Sequence, residues 1–251
     1  MNLIILTQAD RIGEGHYRLA DKRAKHVRSV LHCEIGDTIE VGLLNGPQGT
    51  ALIEKVNDDE VMLKSMTLKQ KPTVQPIVDI ICALPRPQTL KKVLMISATM
   101  SVRRLHLIRA NRVEKSYFHS PLLKKENYMP FLLDGLSQGK HTRIPDVHIH
   151  DRFKPFFLDT LPDLNRKESV SSCRLLPDME DTTANLNDVY DSAVDRILIA
   201  IGPEGGWVPF EIELMESQRF RRFSLGRWVL RVETAVAGVL SQIELIRTMK
   251  N

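Results

Sequence analysis

Apolar positions recur along the chain with two different periods, and the period changes near residue 70. Up to that point it is two. Leu3 to Thr7 reads as a strand, and Asp37-Thr-Ile-Glu-Val41, Ala51-Leu-Ile-Glu-Lys-Val56 and Val61-Met-Leu-Lys-Ser-Met66 alternate apolar and polar side chains as half-buried strands do. Turns at Asn45-Gly-Pro-Gln-Gly49 and Asn57-Asp-Asp59 separate them, which predicts a meander. One helix interrupts it: Asp21 is placed to cap, and Ala24, Val27, Val30 and Leu31 follow at helical spacing.

Lys69-Gln-Lys-Pro-Thr-Val-Gln-Pro76 is a polar connector, stiffened by its prolines, and the boundary between a domain at 1–70 and one at 71–251 is expected there. Beyond it, strands alternate with helices. Ile77 to Leu84 is an apolar strand of the kind buried on both faces, ended by Pro85-Arg-Pro87. A helix over Gln88 to Met100 turns Leu90, Val93, Leu94 and Ser97 inward, and Arg104 to Ile108 is the next strand. A second helix over Lys125 to Gln138 gathers Tyr128, Phe131, Leu132 and Gly135 on one side. Val147 to His150, Cys173 to Leu176 and Arg196 to Ile201 are further strands, and Asp178 to Ala193 reads as a loop with a short helix. The alternation predicts an α/β fold with a parallel sheet covered by helices, beside a small β-rich unit.

Composition narrows this picture. No apolar run is long enough to span a bilayer, and Met1 to Thr7 lacks a basic stretch and a cleavage site, so neither membrane insertion nor secretion is expected. Cys33, Cys82 and Cys173 are scattered thiols that suit a reducing, cytoplasmic setting. His148 and His150 share one face of a strand, read as solvated; no metal site is expected. Between Arg86 and Lys125 stand ten Lys/Arg and one acid, Glu114, whereas 151–196 holds ten acids and six bases. Such a division suggests a polyanion bound on one face. The first 70 residues are nearly neutral, with nine bases and ten acids, so RNA contact there falls to the helix carrying Lys22, Arg23, Lys25, His26 and Arg28, with Arg11 nearby in sequence.

Chemistry concentrates between Arg196 and Ala235. The strand Ile197 to Ile201 runs into Gly202-Pro-Glu-Gly-Gly206, and Pro209 is suited to the first position of a helix with Glu211 and Glu213 in its first turn. Ligands bind at this edge of open α/β sheets, and glycines admit close backbone approach. The loop reads equally as a tight turn or a ligand cradle. It is no phosphate loop: GxxxxGK[ST] and GxGxxG are missing, and acids at a helix start repel phosphate. A second loop follows a short strand, Phe223-Ser-Leu225, and a sharp turn at Gly226. Arg231 and Glu233 flank a final helix whose Val232, Val236, Val239, Ile243 and Ile246 form a narrow seam, either core or a helix-to-helix dimer contact.

Ile201-Gly-Pro-Glu-Gly-Gly206 with Glu211-Ile212, then Leu225-Gly-x-x-Val-Leu-Arg-x-Glu-Thr-Ala235, resemble the paired signature of the RsmE-type 16S rRNA N3-uridine methyltransferases of the SPOUT superfamily. His26-x-x-x-Val30-Leu31 with Gly36-Asp37 is similar to that family's amino-terminal PUA-like domain, and Ala83-Leu-Pro85, Ala98-Thr99, Gln138 and Ile144-Pro145 echo its middle. The chain departs from the pattern at Met100-Ser-Val102, at His32 and His141 where arginines are usual, and at Trp207 and Trp228. The resemblance implies a trefoil-knotted domain that binds S-adenosylmethionine, a PUA-like RNA-binding domain, a homodimer, and 16S rRNA or the assembled small subunit as partner. The implied cofactor residues are Leu84, Pro85, Ala200, Ile201, Gly202, Pro203, Gly205 and Gly206, with Leu225, Gly226, Val229, Leu230, Glu233, Thr234 and Ala235. Arg86 and His141 join the expected RNA contacts. Methylating uridine N3 requires loss of its proton. Arg231 is the expected stabiliser of charge on the uracil oxygens, Arg143 or His141 the second, and Glu204 either base or loop support. Another SPOUT RNA methyltransferase acting on a ribose 2′-hydroxyl, or a silent RNA-binding member, are the alternatives.

Overall fold

The first strand, β1 (Ile4–Leu6), divides its side chains between two cores. Ile4 and Leu6 pack in a smaller cluster with Leu19, Val27, Ile39 and Ile53, whereas Leu3 and Ile5 face a larger one. In the computed structural model, residues 3–70, 77–168, 171–179 and 184–250 are described. The expected connector lies outside them from residue 71 onward.

The smaller core is built by β1, β2 (Arg11–Gly13), β3 (His16–Leu19), α1 (Lys22–Ser29), β4 (Thr38–Leu43), β5 (Gln48–Val56) and β6 (Val61–Gln70). Its sheet runs β1-β4-β5-β6-β3-β2. Only β4, β5 and β6 form the expected meander. β1 pairs parallel to β4, and an unforeseen hairpin, β2 and β3, adds to β6. Within it β3 alternates, with Tyr17 and Leu19 buried, but it is only four residues long, and β2 is exposed throughout. β6 continues through Gln70, beyond the predicted Met66. Asp21 caps α1, accepting from the Arg23 N–H at 2.9 Å.

The larger core is built by β7 (Ile77–Ala83), α2 (Pro87–Thr99), β8 (Arg104–Ile108), α3 (Lys125–Gly139), β9 (Asp146–His150), α4 (Phe153–Pro155), a π-helical turn at Phe156–Thr160, α5 (Leu161–Glu168), β10 (Ser172–Pro177), α6 (Leu186–Val189), β11 (Arg196–Ile201), α7 (Pro209–Ser217), β12 (Arg221–Phe223) and α8 (Val232–Lys250). Every pairing in this sheet is parallel, in the order β12-β10-β11-β7-β8-β9. The last strand ends two residues earlier than the expected Phe223–Leu225. The helical run from Phe153 had no counterpart in the periodicity; the π turn shifts its phase, and Phe156, Phe157 and Leu161 still reach the core. Glu213 falls in the second turn of α7, leaving Glu211 alone in the first. The seam of α8 belongs to the core: Val232, Val236, Val239 and Ile243 are buried and α8 packs on α2.

Two buried polar features hold this sheet. Near its amino-terminal edge, Asp79 accepts from Arg103 at 2.6 Å and from Nε of Arg196 at 2.7 Å, and Glu168 accepts from Arg103 at 3.0 Å and pairs with Arg196 at 3.1 Å. Asp79 therefore anchors three elements; removing one partner from such a network costs about 3–5 kcal/mol. Nearer the other edge, His106 of β8 is buried, with Nδ1 3.1 Å from Nε2 of His150 and the ring stacked 5.2 Å from His148. Phe156 packs on His106 and His150. The face read as solvated is thus partly roofed.

The two cores are tied by β1 and the segment after α3. The Leu3 N–H donates to the Ser137 carbonyl at 3.1 Å, and Thr142 Oγ1 donates to the Gly46 carbonyl at 2.6 Å. Among the described residues no helix is long and apolar enough to cross a membrane.

Candidate cofactor site

Because all six strands of the larger sheet run parallel, the loops that follow them converge on one edge. Strand order reverses between β7 and β11: β8 and β9 lie to one side, β10 and β12 to the other. Ligands of open parallel sheets bind outside the strand ends at such a reversal. A cavity of about 290 Å³ lies there. Its walls are Pro177 to Met179 after β10, Ile201 to Trp207 after β11, Leu225 and Trp228 to Leu230 after β12, and Val232 and Ala235 of α8.

Each wall has a local cause. The Gly206 N–H donates to the Pro203 carbonyl at 2.8 Å with φ of 74°, a conformation that favours glycine. At Gly202 a Cβ would stand 3.1 Å from Nε1 of Trp207, so the bare backbone lets the indole close over it. Trp207 is buried against Phe153, and its Nε1–H has no hydrogen-bond partner among the described residues. Glu211, also buried, accepts from the N–H groups of Val208 at 3.1 Å and Asn111 at 2.7 Å, tying the start of α7 to the loop after β8. Arg112 donates to the Gly205 carbonyl. In the second loop, Gly226 adopts φ of 139°, Ser224 Oγ accepts from its N–H at 3.1 Å, and Gln242 of α8 donates to the Leu225 carbonyl at 3.0 Å.

A polar recess of about 400 Å³ adjoins this cavity, sharing Glu204 and Val232 with it. Arg86, Thr89, Arg112, Glu114, Tyr117, Arg231 and Glu233 complete it. Glu233 pairs with Lys92 at 3.0 Å, not with Arg231. Burial opposes ionisation of Glu233, but the Lys92 hydrogen bond and the Lys92 and Arg231 charges outweigh it, holding the carboxyl below its usual range. Desolvation, then the Glu114 and Glu204 charges, raise the Tyr117 phenol.

Of the expected cofactor residues, Ile201, Gly202, Pro203, Gly205, Gly206, Leu225, Val229, Leu230 and Ala235 line the cavity. Leu84, Pro85 and Ala200 are buried behind it, Gly226 and Thr234 stand outside its lining, and Glu233 lines the recess. Arg231, Glu204 and Arg86 come together there. Arg143 and His141 lie in the loop before β9, at the opposite edge of the sheet. Burial lowers the His141 ring pKa. In the smaller unit, Arg23 is committed to Asp10, Asp21 and the Ile5 carbonyl, Arg28 to Asp58 and the Asn57 carbonyl, and Lys22 to Asp134. Lys25 and Arg11 are exposed and His26 is half-buried. Periodicity gave no sign of Pro177 to Met179, because the loop after β10 carries no motif of its own.

Fold and site together define an α/β ligand-binding protein whose cavity, at the strand-order reversal, is built without a phosphate loop. Residues 73–244 match the RNA methyltransferase domain family, and the chain belongs to that family. It is 26% identical over 246 residues to the ribosomal RNA small subunit methyltransferase E of Treponema pallidum, covering 97% of this chain and 90% of that one. To the ribosomal RNA small subunit methyltransferase E 1 of Borreliella burgdorferi it is 24% identical, covering 98% and 99%. The fold resembles a Neisseria gonorrhoeae ribosomal RNA small subunit methyltransferase E bound to S-adenosyl methionine, with TM-score 0.74, 16% identity and coverage of 97% and 98%.

Proposed function

We propose that this protein transfers the methyl group of S-adenosylmethionine to N3 of a uridine in 16S rRNA. The observation that carries the reading is the junction of two spaces: a cavity closed by both glycine-bearing loops opens, at Glu204 and Val232, on a recess lined by Arg86, Arg112 and Arg231, none of which has an ion pair among the described residues. The cavity suits this cofactor. It offers an orphaned indole N–H, exposed glycine backbone and apolar walls from Ile201, Leu225 and Leu230, and Glu204 supplies negative charge toward a sulfonium. Bound there, S-adenosylmethionine supplies an electrophilic methyl group. The chain's own residues hold the base in line and stabilise it. The N3 proton passes to water, and Arg231 faces the charge that its loss leaves on the uracil oxygens. A carboxylate is a weak acceptor for so weak an acid, so the larger contribution falls to Arg231, and Glu204 supports the loop and the sulfonium.

The same reading includes a PUA-like RNA-binding domain at 1–70, a methyltransferase domain at 71–251, a trefoil knot, a homodimer and a cytoplasmic setting. The knot is supported by the chain path: β11 inserts between β7 and β10, the chain then crosses to β12 beyond β10, and Ser224 bridges Asn185 before α8 returns to α2. Within one chain Arg143 lies at the edge opposite the recess, so a role for it there requires the partner subunit, and both ring nitrogens of His141 are buried. Calorimetry tests the cofactor site. Gly206→Arg fills the cavity and places a side chain at positive φ, costing about 1 kcal/mol of stability. It is expected to abolish S-adenosylmethionine binding while leaving a folded protein. Unaltered affinity would show that another loop holds the cofactor.

A further inference from the structure

A second and larger cleft, about 550 Å³, lies at the same strand-end edge beyond Trp207 and outside the cofactor cavity. Arg109 and Lys115 enter it from the segment after β8, Arg152 and Lys154 from the segment after β9, and Phe210 from the first turn of α7. Its floor is apolar, formed by Ala110, Val113, Phe153 and Val208. Two acids also line it. Glu211 is buried and committed to two backbone N–H groups, and Asp151 lies 3.7 Å from Arg152 on the exposed rim. Arg109, Lys115 and Lys154 have no carboxylate partner among the described residues. Phe210 is 44% exposed, and the Lys154 ammonium stands 4.6 Å from its ring centroid.

We propose that this cleft binds single-stranded RNA beside the target uridine, with a base stacked at Phe210 and phosphates at Arg109 and Lys115. The inference deepens the RNA-methylation reading and rests on it. Charge and shape commit the cleft to this occupant. Unpaired cations draw a polyanion, an exposed aromatic ring accepts any base, and the combination is that of single-strand binding surfaces. An apolar peptide would leave the cations desolvated without partners, and a small anion would leave Phe210 unused. The Gly202–Gly206 loop and Trp207 separate the cleft from the cofactor cavity, so a strand crossing this edge could engage both spaces.

The test is steady-state methylation of small subunits and of naked 16S rRNA by the full chain, with S-adenosylmethionine affinity measured in parallel. Arg109→Glu with Lys115→Glu is expected to raise KM for RNA by at least about tenfold and to flatten its dependence on salt, since two phosphate contacts are lost. Phe210→Ala is expected to raise KM about tenfold and Phe210→Trp to restore it. Cofactor affinity and melting temperature stay at wild-type values in all of them. Unchanged RNA KM in the charge-reversal variant, or a Phe210→Trp protein as impaired as Phe210→Ala, overturns the inference. If the wild-type protein binds cofactor but methylates neither substrate, the RNA-methylation reading itself fails instead.

Discussion

Arg231 and Glu233 sit two residues apart at the start of α8, yet among the described residues only the glutamate has an ion-pair partner, Lys92. That difference separates a structural charge from one available to a substrate. Lys92 of α2 reaches Glu233 across the helix contact, so the two neighbours do not pair with each other. Arg231→Ala is expected to lower kcat by about 10²–10³-fold, the range for losing one preorganised donor to a developing anion. S-adenosylmethionine affinity is expected to stay within about twofold; a matching loss of cofactor affinity would mean that Arg231 shapes the cofactor cavity. At this scale the glycine loop was legible because φ of 74° and close approach to an indole both demand glycine. Glu211 was legible as an acid at a helix start, but not its bond to the Asn111 N–H, which joins residues a hundred positions apart.

Among the elements, the parallel sheet was readable because strands buried on both faces are nearly continuous apolar runs. The small unit was less so: β2 is exposed, and no spacing forecasts that β1 pairs parallel to β4. The histidines of β8 and β9 show what tertiary contact adds. Burial, then the nearby charges of His150 and His148, push His106 well below 6.5, and burial with the His148 charge takes His150 to about 4. These rings are neutral when folded, whereas in the unfolded chain they protonate near 6.5. Their contribution to stability is therefore full above that pH and is lost as pH falls from 6.5 toward 4 and below. Urea unfolding between pH 7.5 and 4.5 is expected to show this decline, and His106→Leu to reduce its slope by about one proton, or roughly 1.4 kcal/mol per pH unit. An unchanged slope would mean that His106 is protonated in the folded protein.

For the whole molecule, the two cores and the convergence of loops follow from alternation and parallel pairing, whereas the strand order and the path through the sheet do not. A knot runs against general topology rules, and only family resemblance suggested it. The α8 seam, legible as either core or interface, is core. Apolar surface nevertheless remains: Trp228 is 70% exposed, Val229 86% and Leu245 59%. Coverage of such side chains, on the second loop and on α8, is what the proposed homodimer predicts. Sedimentation is expected to give twice the 28.6 kDa chain mass, and a monomer at micromolar concentration would contradict this. The recess, with Arg86, Arg112 and Arg231, makes RNA the fitting substrate, whereas Arg103 and Arg104 of the basic block are held by Asp79 and Glu168 at the other edge; the chemistry of the transferred methyl group is the central claim. The direct measurement is transfer of labelled methyl from S-adenosylmethionine to small subunits and to naked 16S rRNA, followed by digestion to nucleosides. Label in N3-methyluridine is the expected result; label in a 2′-O-methyl nucleoside, or none in either substrate, would contradict the account.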